Sequence, residues 1–293
     1  MNKGVETLSL IIGYIYMVAW SLSFYPQNIE FWQRKRCDGY AYEYAIFNLL
    51  AQSSYLIYNC LFFWSSTLQQ EYSAVHSNSP PPVHSNDVIY SMHAVTLVLF
   101  TIYQLLIYER GDQKVKKYSF IISIFGWISI PVVSIVTWKT QRFDLLDLTY
   151  WLAGINNLLI FFKYLPQVWL NYKKKKTVGF SIEAIILDLT GGLLSLLQLF
   201  MDAINKDDYS TFKGGNLAKF GLSLITLFYD TIFLIQHFVL YKERTHDRVV
   251  TLWGLITGQT DFKGNPRKKK SKAGEKLQIN TERDDEEKPL IQD

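Results

Sequence analysis

Apolar residues in this chain are gathered in blocks of about 20, with short polar stretches between them. A block of that length is enough for a helix to cross a hydrocarbon core of roughly 30 Å. The first block is longer than the apolar segment of a signal peptide and no small-residue cleavage site follows, so we interpret it as a retained helix. The pattern predicts an all-α membrane protein with seven transmembrane helices at residues 8–28, 43–64, 87–108, 118–138, 147–171, 181–202 and 217–241.

The distribution of Lys and Arg predicts the orientation of the chain. Eleven of them lie in the first, third and fifth loops, against five in the loops between, and twelve more follow the last span. Basic loops stay preferentially on the cytosolic side. We therefore expect a cytosolic C-terminus and a lumenal or exterior N-terminus. The stretch from Ser73 to Asn86, which contains three consecutive prolines, predicts a flexible lumenal connection.

Composition narrows the functional classes. Only 19% of the residues are charged, and the net charge of +4 comes from loop residues, so membrane topology explains it better than a nucleic-acid partner. Cys37 and Cys60 form no CxxC or Cys/His pattern, so we expect no metal site and no disulfide framework. An enzyme is the least supported class because no nucleophile, metal or phosphate motif appears, and no cofactor is predicted.

A Pro-Gln dipeptide occurs twice at related places. Pro26-Gln27 closes the first span and Pro166-Gln167 lies near the end of the fifth, and each is followed by a basic cluster and a glycine. Twenty-one residues after each glutamine stands a polar residue, Asn48 or Asp188. Spans 1–3 therefore correspond to spans 5–7. This predicts a first repeat over 1–117, a connector helix over 118–140, a second repeat over 141–248 and a disordered cytosolic tail over 249–293.

A single connector restores the direction of crossing, so the halves are predicted to be parallel repeats about an axis along the membrane normal. Transporters of this build, such as the SWEETs, bind substrate near the midplane at the repeat interface. A proline inside a helix removes one backbone hydrogen bond, so Pro26 and Pro166 with the adjacent Gln27 and Gln167 are candidate hinges. The alternative is that both prolines only kink their helices for packing.

Seven stretches of the chain, within residues 13 to about 244, follow the pattern of one known family: 18–27, 86–88, 91–95, 108–111, 163–167, 187–192 and 236–241. In these stretches the chain resembles the cystinosin family of PQ-loop proteins. The resemblance implies a SWEET-like fold of two PQ-loop repeats. It also implies a cystine/proton symporter that exports L-cystine from the lysosome or vacuole to the cytosol.

The same resemblance assigns roles to individual residues. It implies that Asp188 binds the coupled proton and that Lys163 and Asn171 contact the substrate. Asp87 and Asp230 stand where the family has acids linked to proton coupling or gating. For Asp87 an alternative follows from the sequence alone, because an Asp at a helix start can serve as an N-cap.

The candidate site residues also carry physical arguments of their own. A carboxylate inside a span is costly, so Asp188 is a functional candidate unless neighbouring groups such as Thr190 satisfy it. Lys163 can pair with a substrate carboxylate, or it can snorkel to an interface. Asn48 offers both a donor and an acceptor. Aromatic residues near these positions can line a cavity or simply pack: Trp20, Phe24 and Tyr164.

Two positions depart from the family pattern. Ala184 and Phe31 stand where the family has Asn, and each departure removes a polar side chain. A PQ-loop transporter of another amino acid or of a sugar therefore stays open beside the cystine transporter. A seven-helix receptor shares the topology, but receptors have no three-plus-three repeat.

The tail contains a short sorting pattern. Glu286 precedes the pair Leu290 and Ile291 by four residues, which resembles the acidic dileucine signals read by clathrin adaptors at lysosomes. Such a signal needs an extended and accessible cytosolic strand, which a disordered tail provides. Chance occurrence is the alternative for so short a pattern. We expect a multi-pass protein of the lysosomal or vacuolar membrane.

Overall fold

The computed structural model describes residues 3–75, 83–140, 143–206 and 215–242. Within these ranges the backbone forms eight α-helices and one π-helical turn, and all helices except α3 are long and apolar enough to cross a membrane. This confirms the predicted all-α fold with seven spans. The helices are α1 Lys3–Arg34, α2 Tyr42–Trp64, α3 Ser66–Val75, α4 Ser85–Ile107, α5 Lys117–Lys139, α6 Leu145–Lys174, α7 Ile182–Lys206 and α8 Gly215–Ile235, followed by the π-helical turn Gln236–Leu240.

The two helices that carry a Pro-Gln pair extend beyond their predicted ends. Helix α1 continues past Pro26 to Arg34, and α6 continues past Pro166 to Lys174. A count of apolar residues ends a span at the first polar positions, whereas a helix needs only continued backbone hydrogen bonds. Each helix is followed by a lysine in the left-handed region, Lys35 with φ 54° and Lys175 with φ 52°, which turns the chain sharply.

The connection after α2 is partly helical, which corrects the flexible stretch predicted from residue 73. Ser73–Val75 belong to α3, whose start is capped because the Ser65 hydroxyl accepts a hydrogen bond from the Leu68 amide at 3.2 Å. Leu68 is fully buried and packs with Phe62 at the end of α2. The sequence did not predict α3, because a single buried leucine makes no periodic apolar pattern. Residues 76–82 lie outside the described part.

The two repeats interlock rather than standing side by side. Helix α1 of the first repeat packs along α7 of the second, and α6 of the second packs along α2 of the first. Close approach of α1 and α7 requires small residues, because a Cβ on Gly191 would lie 2.5 Å from the indole of Trp20. Helix α5 packs on α2 and α6. Only 22% of the residues in its apolar 18-residue segment are buried, so most of its surface is left for lipid.

Candidate functional site

Lys163 lies at the centre of the helix bundle, one turn before Pro166 on α6. It is 7% exposed, and its Nζ donates to Asn48 Oδ1 at 3.2 Å. The ammonium also lies 4.7 Å from the ring centroid of Tyr164 and 5.3 Å from that of Tyr44. Two aromatic faces and one amide thus surround this buried cation. The structure brings Lys163 and Asn48 together across the repeat boundary.

Asp188 faces this lysine from α7. Its Oδ2 accepts a hydrogen bond from the Tyr164 hydroxyl at 3.0 Å, and the Trp20 indole hydrogen-bonds to the same carboxylate. The glycine at position 191 allows the indole to approach that closely. Asp188 is therefore partnered by two aromatic donors. The Thr190 hydroxyl instead donates to the Ile186 carbonyl at 2.7 Å. It therefore does not donate to the Asp188 carboxylate, which was the alternative that the sequence left open.

Asp230 supplies a second carboxylate from α8. It is 0% exposed, and neither of its carboxylate oxygens has a hydrogen-bond partner among the described residues. It interacts electrostatically with both Lys163 and Asp188. A buried carboxylate without donors is costly in a medium of low dielectric constant. We call the set Lys163, Asn48, Tyr164, Asp188, Asp230 and Tyr44 the polar centre.

Beyond the polar centre, two loops meet at one end of the bundle. These paired loops are residues 35–41 of the first repeat and 175–181 of the second, and they contact one another at Gly39 and Gly179. A Cβ on Gly39 would lie 1.9 Å from the Val178 carbonyl oxygen, and the Gly179 φ of +94° also favours glycine. The two glycines noted after the Pro-Gln pairs are therefore explained by backbone contact.

The glutamines of the two Pro-Gln pairs clamp these loops reciprocally. Gln27 of the first repeat donates to the Gly179 carbonyl at 3.1 Å and accepts from the Ser181 amide at 2.8 Å. Gln167 of the second repeat donates to the Gly39 carbonyl at 2.9 Å and accepts from the Ala41 amide at 2.7 Å. The side-chain amide of each glutamine thus pairs with the backbone of the other repeat's loop, as a neighbouring strand would.

A second pair of glutamines ties the helices within each repeat. Gln104 donates to the Asn28 carbonyl at 2.9 Å, and Gln236 donates to the Val168 carbonyl at 3.1 Å. Asn28 and Val168 are the residues that follow the two Pro-Gln pairs, so the contact is repeated in both halves. Asn171 donates to Gln236 at 2.9 Å and belongs to this scaffold, 1% exposed, instead of to the polar centre.

Charged residues reinforce the paired loops, and sequence analysis missed most of them. Glu30 accepts from the Gly179 amide at 3.0 Å and from Arg34 at 3.1 Å. Lys174 of the second repeat reaches the Asp38 carbonyl oxygen of the first. The i,i+4 spacing of Glu30 and Arg34 on α1 was visible in the sequence as a helix ion pair. Its contact with the other repeat was not.

Burial also shapes the chemistry of the paired loops. Cys37 is 0% exposed, and its thiol points at the Gln104 carbonyl at 3.8 Å. Loss of hydration, with the neighbouring Asp38 carboxylate adding to it, raises the pKa of the Cys37 thiol to about 12. The thiol is therefore protonated and unreactive while the loops are together.

The other predicted residues lie in several places. Asp87 is at the start of α4, where its carboxylate accepts from the His84 amide at 2.7 Å as part of a capping box. Phe24 is half-buried on α1 one turn after Trp20. The hinge candidates Pro26 and Pro166 lie inside continuous helices. The sorting residues lie outside the described part of the chain: Glu286, Leu290 and Ile291.

Comparison with known proteins gives the family. A family model described as the PQ loop repeat matches residues 8–68 and 148–208, which contain both Pro-Gln pairs. The chain is 36% identical over 240 residues to "Cystinosin" of Bos taurus, covering 82% of this chain but less than two thirds (65%) of the bovine protein.

Two further relatives are matched over most of their length. The chain is 37% identical over 239 residues to "Cystinosin homolog" of Arabidopsis thaliana, covering 80% of this chain and 86% of the plant protein. It is 28% identical over 267 residues to "Cystine transporter" of Saccharomyces cerevisiae, covering 82% and 96%. The chain has both matched repeats and seven candidate spans, and it belongs to the cystinosin family of PQ-loop proteins.

Proposed function

We propose that this protein is a proton-coupled transporter that moves L-cystine from the lysosomal or vacuolar lumen to the cytosol. The observation that carries the proposal is the polar centre, where the Lys163 ammonium faces the carboxylates of Asp188 and Asp230. An amino-acid head carries one carboxylate and one ammonium. A lysine and an acid held a short distance apart complement such a head, whereas a neutral sugar needs neither charge. The name of the yeast relative, "Cystine transporter", supports cystine as the amino acid.

The arrangement of charges supports proton coupling. Two carboxylates and one ammonium sum to one negative charge, and burial of net charge is costly. One proton shared by Asp188 and Asp230 makes the empty polar centre neutral. Release of that proton with the substrate on the other side couples the two movements. Each pH unit of gradient supplies about 1.4 kcal/mol per proton, and each charge moved through ~100 mV supplies about 2.3 kcal/mol.

The paired loops serve in this proposal as the cytosolic gate. They carry basic residues of the first and fifth loops, which the charge distribution assigns to the cytosol. The glutamine clamps hold them closed, while Trp20, Tyr44 and Asp188 at the polar centre keep partly accessible surface. The structure then corresponds to a form with the cytosolic side shut. Opening requires the helix ends after Pro26 and Pro166 to swing apart, for which a missing backbone hydrogen bond lowers the cost.

The proposal includes the subcellular localisation of the protein. The tail pattern of Glu286, Leu290 and Ile291 would be read by a clathrin adaptor, which directs the protein to the lysosomal or vacuolar membrane. In that setting the acidic lumen supplies the protons. The C-terminus must face the cytosol for the signal to be read, in agreement with the expected orientation.

One observation keeps another amino acid as a second candidate. Ala184 has no polar side chain with which to hold a substrate, and it lies one turn before Asp188 on α7. Phe31, the other departure, is fully buried and packs against Tyr40 with ring centroids 5.2 Å apart, so it does not belong to the polar centre. Relaxed recognition through Ala184 would admit amino acids other than cystine.

Uptake into intact cells tests the proposal. The Leu290→Ala, Ile291→Ala variant is expected to display the protein at the plasma membrane, where an acidic medium takes the place of the lumen. We expect radiolabelled cystine uptake that rises as the external pH falls, with little uptake of arginine or glucose. Uptake of arginine in preference to cystine would support the second candidate. Uptake that ignores external pH would contradict proton coupling.

A further inference from the structure

Tyr44 was singled out by no sequence motif, yet it lies in the polar centre. It stands one turn before Asn48 on α2, so both side chains project from the same face of that helix. Asn48 accepts from the Lys163 ammonium, and the Tyr44 ring lies 5.3 Å from the same nitrogen. Two successive turns of one helix thus hold a single cation.

The Tyr44 ring completes an aromatic sandwich around Lys163. Its centroid lies 5.6 Å from that of Tyr164 at an interplanar angle of 70°, and the ammonium is within cation–π range of both rings. The faces of such rings attract a cation electrostatically, without taking one of its N–H groups in a conventional hydrogen bond. Of the three N–H donors of the lysine, one goes to Asn48. The sandwich leaves the ammonium oriented with donor capacity for an incoming carboxylate.

The Tyr44 ring also packs against the side chain that holds Asp188. Its edge-to-face contact is with Tyr164, whose hydroxyl donates to Asp188 Oδ2 at 3.0 Å. The Tyr164 oxygen keeps lone pairs with which to accept a hydrogen bond from the Tyr44 hydroxyl. Such a chain of hydrogen bonds would let each member polarise the next. Tyr44 therefore contacts the ammonium through its ring and acts on the carboxylate only through Tyr164.

Comparison of the repeats shows that this contact exists on one side only. Residues 140 positions apart occupy equivalent places in the two repeats, as Gln27 and Gln167 do. The mate of Asn48 is Asp188, and the mate of Tyr44 is Ala184. Where the first repeat contributes a ring and a hydroxyl, the second contributes a methyl group. The two repeats therefore contribute differently to the polar centre at the position one turn before Asn48 and Asp188.

We propose that Tyr44 is a specificity-determining and positioning residue that orients Lys163 for a substrate carboxylate and relays hydrogen bonding to Asp188. This rests on the proposed transport of an amino acid. It assigns the carboxylate of the substrate head to the wall formed by Lys163 together with Asn48 and Tyr44 of the first repeat. The ammonium of that head falls to the opposite wall of Asp188 and Asp230. The small side chain of Ala184 leaves room on that opposite wall.

Two substitutions separate the ring from the hydroxyl in cells that display the Leu290→Ala, Ile291→Ala protein. Tyr44→Leu removes both, and we expect the KM for cystine to rise about tenfold while the maximal rate per molecule stays within about twofold. Tyr44→Phe keeps the ring, and we expect an unchanged KM with the midpoint of the uptake–pH curve moved by about half a pH unit. Tyr103→Phe, on the outer face of α4 and 56% exposed, is the matched control and should change neither.

Other outcomes would overturn the proposal. A Tyr44→Leu protein with normal KM and a reduced maximal rate would make Tyr44 a packing residue of the paired loops. A Tyr44→Phe curve that superimposes on the parent curve would remove the hydroxyl from the relay. If the parent protein transports no cystine, the proposed function fails. Infrared titration of purified protein then decides whether Tyr44 acts on the Asp188 carboxyl group. The carboxyl band lost in Asp188→Asn should titrate differently in Tyr44→Phe, and identical titrations would refute the contact.

Discussion

At the scale of single residues, the proposed role of the polar centre depends on charged groups that have few hydrogen-bond partners. Asp230 has no hydrogen-bond donor among the described residues, and Asp188 is held by the neutral donors of Tyr164 and Trp20. Lys163 is the cation that both acids interact with. Proton or substrate binding therefore changes the energy of the whole set. A side chain that is already fully satisfied would respond much less.

Asp188→Asn should abolish proton-driven transport. The amide keeps the shape and can still accept from Tyr164, but it cannot take up and release a proton. We expect loss of the cystine-evoked inward current at acidic external pH, measured by voltage clamp on cells that display the protein. Asp147→Asn is the matched control, because that carboxylate only accepts from the Asp144 amide at an exposed helix start. Normal currents in Asp188→Asn would contradict the assignment.

At the scale of helices and loops, reciprocal contacts between the repeats hold the paired loops together. The clamps of Gln27 and Gln167 require the paired loops to be in backbone contact, which they achieve at Gly39 and Gly179. A side chain at either glycine would prevent all four glutamine hydrogen bonds from forming together. The closed form therefore depends on glycine at these positions as much as on the glutamines.

Gly39→Ala should destabilise the closed protein. Its Cβ would overlap the Val178 carbonyl oxygen at 1.9 Å, and relief of such overpacking costs about 1–3 kcal/mol. For a protein of this size we expect thermal unfolding to start several degrees lower, at about 2–4 °C per kcal/mol. Gly154→Ala in α6 is the matched control, since nothing lies within 4 Å of its Cβ. That control should be neutral or slightly stabilising. Equal melting temperatures for the two variants would contradict the contact.

Pro166→Ala should slow transport more than it weakens binding. The alanine restores a backbone hydrogen bond and stiffens α6 near Lys163, so movement of the helix end becomes harder. We expect a lower maximal rate of cystine uptake with a nearly unchanged KM. Pro131→Ala makes the same chemical change inside the connector helix α5 and should leave the rate unaltered. An unchanged rate in Pro166→Ala would favour a packing role for the proline.

Cys37 should report opening of the paired loops. With a pKa of about 12, only about one thiol in 10⁴ is ionised at pH 8, and the thiolate is the reactive form. The raised pKa means that reactivity in the closed form increases about tenfold per pH unit up to about pH 11. In a Cys60→Ser background we expect slow maleimide labelling of Cys37, and faster labelling when cystine is transported. The measurement is the labelled fraction over time by mass spectrometry. Rates that are fast and independent of cystine would contradict burial in the closed form.

At the scale of the whole molecule, the proposed transport site and the proposed sorting signal belong to different parts of the chain. The core extends through α8, whereas the sorting pattern begins about 50 residues beyond Ile235 along the chain. A change in the tail should therefore move the protein within the cell without altering the polar centre. Transport and localisation can be tested as independent properties.

Leu290→Ala with Ile291→Ala should shift the protein from endolysosomes or vacuoles to the plasma membrane. The two apolar side chains are needed for an adaptor pocket, and alanine does not fill it. We expect surface labelling to increase several-fold, measured by microscopy and by biotinylation. Leu277→Ala with Ile279→Ala is the matched control, because it removes two apolar residues of the same tail that do not form an adjacent pair. Unaltered localisation of the first variant would refute the signal.

Several features were determined by the sequence alone, since each depends on local chemistry. The thickness of a bilayer sets a length of about 20 apolar residues, so the seven spans could be counted without a structure. The repeat was visible because both halves kept a Pro-Gln pair and a polar residue 21 positions later. Asp188, Lys163 and Asn48 stood out because charged and amide groups inside a span are costly.

Tertiary structure decided which of these residues meet. Lys163 and Asn48 are 115 positions apart and Gln167 and Gly39 are 128 apart, so no local pattern relates them. The interlocked packing brought Tyr44 to the polar centre and placed Asn171 in the helix scaffold beside Gln236. It also gave Glu30 a partner in the other repeat. Contacts between distant helices follow from how side-chain volumes fit across an interface, and that fit exists only once the helices have packed.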